Sequence, residues 1–289
     1  MIDPVESLQQ LPDRILFSKV SASANDFIVI DNRAGVFSDT VSLLAQRLCA
    51  RRYSIGADGL ILIENSNKAS VRVRFFNPDG GEFNTCGNGG RCAARFAHLS
   101  VITGRRMTIE TNAGVIDADV IGNSVKIKFV APSRVQLYVP VTLDSRVIKG
   151  HVVRLGDPHF IVFATNLRKH AIVPFARKLR YHEAFAPEGV NVHLLEPVSR
   201  NSVKIRSYER GVEDETLACG SGCISSAIAL HASGMADPPI TFEPQSKIPL
   251  IVHFQKGGKY QDLYLEGDAR LVYRGELTKE ALFGFLGQP

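Results

Sequence analysis

The tetrapeptide Cys86-Gly87-Asn88-Gly89 returns later in the chain as Cys219-Gly220-Ser221-Gly222, both of the form C-G-[NS]-G. Each copy comes after a strand-like apolar run and opens a stretch rich in Ala, Ser and other small residues. Strand, glycine turn and small-residue helix therefore occur twice in the same order. A duplicated half-chain implies two similar domains with a shared cleft, which is a stronger constraint on the fold than anything in the composition. A single turn of this kind is ambiguous. It fits a buried cysteine packed beside a tight turn as well as it fits a reactive thiol.

The rest of the chain can be divided around these two turns. Strands are expected at Ile15–Val20, Phe27–Asp31, Leu60–Ile63, Val71–Phe76, Met107–Thr111, Val115–Val120 and Val125–Val130. A helix through Val41, Leu44, Ala45 and Leu48 has Asp39 and Thr40 as candidate caps. Ala131-Pro132-Ser133 reads as the domain boundary. Beyond it, strands are expected at Val147–Leu155, Phe160–Phe163, Val190–Leu195, Val203–Tyr208, Ile240–Phe242, Ile248–Phe254, Leu263–Glu266 and Ala269–Tyr273, with a helix over Pro174–Arg180. The expected organisation is a lead-in over 1–13, an N-terminal half over 14–131 carrying Cys86, and a C-terminal half over 132–274 carrying Cys219. Residues 275–289 are expected to return to the first half.

Composition excludes several classes. Apolar residues make up 45% of the 289 and charged residues 22%, as in a soluble globular protein. No apolar run approaches the ~20 residues of a membrane-spanning helix. The acidic start (Asp3, Glu6, Asp13) lacks the pattern of a signal peptide, so a cytoplasmic protein is expected. The formal charge of +5 is spread out, without the basic stripe and interleaved aromatics of a nucleic-acid binder. Mild basicity suits a small anionic substrate. The cysteines are Cys49, Cys86, Cys92, Cys219 and Cys223, an odd number in a chain of this size, which favours reduced thiols over a disulfide framework. Their spacing does not fit a zinc ribbon, so no metal is expected. Cys49, Cys92 and Cys223 are expected to pack rather than react.

If the two halves close on one ligand, two thiols and two helix N-termini meet it. The α-carboxylate of an amino acid would sit against the N–H groups of Gly87, Asn88, Gly220 and Ser221. One thiolate would take the Cα proton and the opposite thiol would deliver another to the other face, inverting the centre without a cofactor. A free thiol titrates near 8.5, and a helix N-terminus contributes roughly 0.3–2 kcal/mol, so each thiol is expected to be about one unit more acidic than usual. The weakly acidic Cα–H needs carbanion stabilisation, which preorganised N–H donors can supply. No lysine stands out as a Schiff-base partner, so pyridoxal phosphate is not expected.

From about Phe17 to Tyr273 the chain resembles the diaminopimelate epimerase family. The likeness is carried by Phe75-Phe76-Asn77-Pro78-Asp79-Gly80 ahead of Cys86-Gly87-Asn88-Gly89-Gly90-Arg91-Cys92, and by Tyr208-Glu209-Arg210-Gly211, Glu215-Thr216 and Ala218-Cys219-Gly220-Ser221-Gly222. Asn25-Asp26-Phe27, Gly156-Asp157-Pro158-His159 and Val190-Asn191 match shorter signatures. The resemblance implies an α/β (α+β) fold of two pseudo-symmetric domains. In each, a curved, mainly antiparallel sheet wraps a central helix, with the active site between the domains. It also implies conversion of LL- to meso-diaminopimelate, feeding lysine and peptidoglycan synthesis, and leaves room for a homodimer. By the same resemblance Cys86 and Cys219 are the acid–base pair, and Gly87, Asn88, Gly220 and Ser221 form the carboxylate cradle with Thr216 beside it. Asn25, Asn77, Asn191, Glu209 and Arg210 correspond to residues that hold the distal end of the substrate. His159 and Glu209 are candidates for biasing the thiols.

Three departures from the family bear on specificity. Gly59 stands where the family has glutamine, and Asp157 where it has asparagine. The turn before Asn25 is Ser21-Ala22-Ser23-Ala24 in place of a glycine-containing form. They predict a competent site with looser choice among acidic amino acids. Another cofactor-independent racemase on the same fold, acting on glutamate for example, is the alternative within the enzyme class. A non-catalytic metal- or ligand-binding module built on the duplicated fold is the alternative outside it.

Overall fold

The structure, a computed structural model, describes residue 12 and residues 14–37, 40–84, 86–255 and 260–283. The expected lead-in over 1–13 lies outside the described residues apart from Pro12, as do Asp39, Thr85 and 284–289 at the end of the returning segment. The chain divides into two units. The described residues up to Ile127, together with those from Asp268 onward, form one; Lys128–Gly267 form the other.

In the first unit, β1 (Ile15–Ala22) and β2 (Asn25–Asp31) form a hairpin. Its turn residues Ser23 and Ala24 both take positive φ, at 53° and 66°. Helix α1 (Val41–Cys49) then leads to β3 (Gly59–Glu64), which lies parallel to β2. Parallel neighbours need such a crossover, because a tight turn can only reverse the chain. β4 (Val71–Phe76) pairs antiparallel with β3, and the short β5 (Glu82–Phe83) folds back on β4. Helix α2 (Gly87–Leu99) carries the chain across to β6 (Arg106–Thr111), parallel to β4, and β7 (Gly114–Ile121) and β8 (Ser124–Lys128) follow as antiparallel neighbours. Helix α2 touches β1, β2, β3, β4, β6 and β7, so the sheet curls around it. Small residues allow this. Gly89, Gly90, Cys92, Ala93, Ala94 and Ala97 are all buried, and a Cβ on Gly89 would lie 2.8 Å from the Phe75 ring.

The second unit repeats this wiring. Its strands are β9 (Arg134–Leu143), β10 (Arg146–Leu155) and β11 (Asp157–Phe163), then β12 (Asn191–Ser199), β13 (Ser202–Glu209), the short β14 (Asp214–Thr216), β15 (Ile240–Glu243), β16 (Leu250–His253) and β17 (Tyr264–Asp268). Helix α3 (Ile172–Arg180) is the crossover between the parallel pair β11 and β12. Helix α4 (Gly220–Ala232) is the crossover between the parallel pair β13 and β15. Helix α4 is buried from Gly222 to Leu230 and touches β9, β10, β11, β12 and β16. After β17 the chain returns to the first unit as β18 (Arg270–Leu277), antiparallel to β1, and as the short α5 (Glu280–Phe283). β18 therefore stands to β1 as β9 stands to β10.

The expected fold class holds: mixed α/β, a mainly antiparallel sheet, few helices. Strand Arg134–Leu143 lies outside the expected set. Only Val141 of its ten residues is buried and Pro140 interrupts it, so it lacks the alternation that marks a half-buried strand. Thr40 takes the N-cap position of α1 but makes no side-chain cap bond.

Candidate active site

In the first unit the site is built at the start of α2. Cys86 is the N-cap, and its Sγ accepts the Gly89 N–H at 3.3 Å. The Gly90 N–H goes to the Cys86 carbonyl at 2.7 Å. The N–H groups of Gly87 and Asn88 belong to the first turn, ahead of any intrahelical carbonyl. Asn25, at the start of β2, joins this turn: the Asn88 amide donates to Asn25 Oδ1 at 3.3 Å. The Asn25 amide donates in turn to Asp58 Oδ2 at 2.8 Å. Arg51 pairs with Asp58 at 2.9 Å and with Asp26 at 2.5 Å, and Lys19 meets Asp26 at 2.5 Å. Burial works against the charged form of Asp26, but hydrogen bonds from Lys19 and Arg51 outweigh it and hold the carboxyl below its ordinary range.

Gly59 opens β3 opposite Phe27. A Cβ there would lie 2.8 Å from the Phe76 carbonyl and 3.2 Å from the Phe27 ring. Glutamine does not fit on this backbone, so glycine at 59 is demanded by the packing. Asn77 is exposed in the turn after β4, its backbone engaged with Gly80 and Gly81.

In the second unit Cys219 caps α4 and is 4% exposed. Its Sγ lies 3.6 Å from Ser221 Oγ. Thr216, at the end of β14, donates through its hydroxyl to Glu209, at the end of the adjacent β13. Burial pushes the Cys219 thiol well above its usual range, and the Glu209 carboxylate adds to this; contacts from Ser221 and the Gly222 N–H oppose it only in part. This corrects the expectation of a more acidic thiol. The N-terminus of a helix favours a thiolate, but desolvation plus a neighbouring carboxylate outweighs it here. Burial raises Glu209 as well, against hydrogen bonds from Thr216 and Cys219. Glu209 thus stands beside the Cys219 thiol.

Two other expected site residues are engaged within the second unit. Asn191 is buried with both ends of its amide on backbone: Oδ1 accepts the Arg210 N–H at 2.8 Å and Nδ2 donates to the Pro158 carbonyl at 3.4 Å. The Arg210 guanidinium is ion-paired with Asp157 and lies 3.4 Å from Glu188. Asp157 therefore occupies the arginine.

His159 is fully buried. Its Nδ1 lies 2.8 Å from Nε2 of His193, with the rings stacked at 5.1 Å, and His193 Nδ1 lies 2.8 Å from Ser207 Oγ. Burial, with the charge of Arg210 behind it, takes His159 down to about 3, and burial keeps His193 well below the usual imidazole range too. Both rings are neutral. Gly222 lies directly over His193: a Cβ there would be 2.3 Å from the ring. His193 and Ser207 escaped the sequence reading because only the register of β11 on β12 brings the two histidines together. Cys49, Cys92 and Cys223 are buried as expected, and burial pushes the Cys49 thiol up to about 12. Among the described residues no cluster of His, Cys, Asp or Glu is placed to hold a metal, and no helix is long and apolar enough to cross a membrane.

Known proteins resemble this chain in sequence and in fold. The family model described as diaminopimelate epimerase matches residues 17–132 and 151–279. A diaminopimelate epimerase of Aquifex aeolicus is 37% identical over 281 residues, which covers 92% of this chain and 99% of that protein. One of Chlorobaculum tepidum is 39% identical over 263 residues, covering 90% and 100%. Among solved structures, a phenazine biosynthesis protein of Bacillus anthracis aligns with TM-score 0.69 at 16% identity over 92% of this chain and 99% of its own. A hydroxyproline epimerase of Agrobacterium vitis aligns with TM-score 0.64 at 16% identity, over 92% and 93%. Those two show a shared fold. The sequence matches run through both cysteine turns and nearly the whole length of the relatives, and on them the chain belongs to the diaminopimelate epimerase family.

Proposed function

We propose that this chain epimerises LL-2,6-diaminopimelate to the meso isomer, with Cys86 and Cys219 as the two acid–base groups and no cofactor. One observation carries the reading. Each unit places a cysteine as N-cap of its buried, small-residue helix, at the same point in the same strand order. Such a helix start offers N–H donors to a carboxylate and to the carbanion that develops beside it. In the forward direction Cys86 takes the Cα proton as thiolate, and Cys219 gives its S–H proton to the opposite face. A thiol kept protonated by burial and by Glu209 suits the donor. In the reverse direction the roles exchange, and Glu209 is the group at hand to receive the Cys219 proton.

The substrate is small and anionic, and the setting is cytoplasmic synthesis of lysine and of peptidoglycan precursors. Specificity is looser than in relatives that carry glutamine and asparagine at 59 and 157, because Asp157 competes with a substrate carboxylate for Arg210. The function is tested by incubation with LL-diaminopimelate in D₂O. Meso product carrying α-deuterium is expected, and Cys86→Ala and Cys219→Ala should each abolish it; failure of the wild-type protein to exchange the Cα proton refutes the reading. For specificity, kcat/KM is compared for LL-diaminopimelate, L-glutamate and L-aspartate. Undetectable turnover of the last two, or an Asp157→Asn variant with unchanged preference, removes the role given to Asp157.

A further inference from the structure

Among the described residues, Arg91 is the largest of the fully buried side chains, 0% exposed. It sits one turn into α2, and its side chain folds back toward the helix start. Nη1 donates to the Gly87 carbonyl at 3.5 Å, and Nη2 to Asn88 Oδ1 at 2.9 Å and Ser23 Oγ at 2.8 Å, while Nε donates to the Asp268 carbonyl at 3.2 Å. A cation buried against the positive end of a helix dipole is the opposite of what helix stability favours. Its placement calls for another reason.

The hydrogen bonds beyond Arg91 supply one. A guanidinium can only donate, so Asn88 must turn its carbonyl oxygen to Arg91 and its NH₂ away. That NH₂ donates to Asn25 Oδ1, which turns the Asn25 NH₂ to Asp58. Asp58, paired with Arg51, is an acceptor. A donor-only group at one end and an acceptor at the other leave one polarity for the two amides between them. We propose that Arg91 is a positioning residue that fixes the polarity of Asn88 and Asn25, so that both offer N–H groups to a carboxylate of the substrate. Each NH₂ spends one hydrogen in the chain of bonds and keeps the second for a ligand. Reversed amides would offer carbonyl oxygens, which repel a carboxylate and suit an ammonium. The buried charge of Arg91 lies behind the same turn and favours the same anion.

The proposal rests on the epimerase reading, and the test separates the two. Wild type, Arg91→Met, Arg91→Lys, Asn88→Ala and the Arg91→Met/Asn88→Ala double variant are assayed with LL-diaminopimelate in D₂O, with circular dichroism and thermal unfolding alongside. Arg91→Met should raise KM about tenfold, the scale of a lost charge-assisted hydrogen bond, with kcat within about threefold. Arg91→Lys keeps charge and stem but cannot hold the fork; it should raise KM in the same way and decides the matter if the methionine variant does not fold. In the Asn88→Ala background the Arg91 change should move KM less than twofold, because its intermediary is gone. Ser23→Ala removes the bond from Arg91 to the β1–β2 turn together with the 3.4 Å bond from Ser23 Oγ to Asp268 Oδ1, and should lower Tm while leaving KM within about twofold. An equal KM cost of the Arg91 change with and without Asn88, or unchanged KM in a folded Arg91→Lys, overturns the positioning role. A wild-type protein without Cα exchange overturns the epimerase reading instead.

Discussion

The stacked imidazoles behind the Cys219 turn make acid the most informative perturbation of this protein. His159 titrates at about 3 when folded and near 6.5 when the chain is unfolded. Its folded pKa is depressed, so its contribution to stability is present above pH ~6.5 and is lost as pH falls from there toward about 3. At pH 5.5 the unfolded imidazole is protonated in a ratio of roughly ten to one while the folded one is neutral. The loss is RT ln 11, about 1.4 kcal/mol, and at pH 4.5 it reaches about 2.7 kcal/mol. His193 is depressed as well, and the two stacked rings cannot both accept a proton, so the wild-type protein should lose more than this. The assay is chemical denaturation at about pH 7.5 and pH 5.5 for the wild type and for His159→Gln. Titrating groups not coupled to His159 cancel in the difference, and His193 stays neutral by burial in both folded proteins. The glutamine variant should be less sensitive to acid by about 1.4 kcal/mol over that interval. Identical pH dependence in the two proteins would refute the argument, because it would mean that His159 is not held neutral by its surroundings.

Two glycines of α2 should respond oppositely to alanine. Gly89→Ala puts a methyl 2.8 Å from the Phe75 ring and should cost about 1–3 kcal/mol, whereas Gly90→Ala meets nothing closer than 3.7 Å and should be neutral or stabilising by about 0.5–1 kcal/mol in thermal unfolding. Glu209→Gln removes the carboxylate beside Cys219. The pH at which Cys219 becomes alkylated by iodoacetamide, measured in a Cys86→Ser background, should fall; an unchanged or higher value sinks the coupling between them. Alkali should destabilise the fold, since Cys49 stays protonated up to about 12 when buried but ionises near 8.5 when exposed. Above pH ~8.5 stability should drop more steeply in wild type than in Cys49→Ala, and equal slopes in urea titrations would contradict it.

The sequence by itself carried the architecture and the chemistry class. The repeated C-G-[NS]-G turns marked two helix starts, small residues marked both helices as the ones a sheet could wrap, and period-2 runs located most of the strands. All of these are local signals, written in residues adjacent along the chain. Arg134–Leu143 escaped because an exposed strand broken by proline carries no such signal. Tertiary structure alone decided how the site behaves. The Cys219 thiol is raised and not lowered, because desolvation and Glu209 come from β13 and from the surrounding core, not from the helix that the cysteine caps. Asn191 braces the backbone, Arg210 pairs with Asp157, and His159 finds a partner in His193 through the register of two parallel strands. Arg91 was visible three residues after Asn88, but its burial and direction were not. Spacing along a chain fixes which residues share an element. Desolvation and donor–acceptor pairing depend on what other elements bring to the same point, and both act over distances that only the folded chain defines.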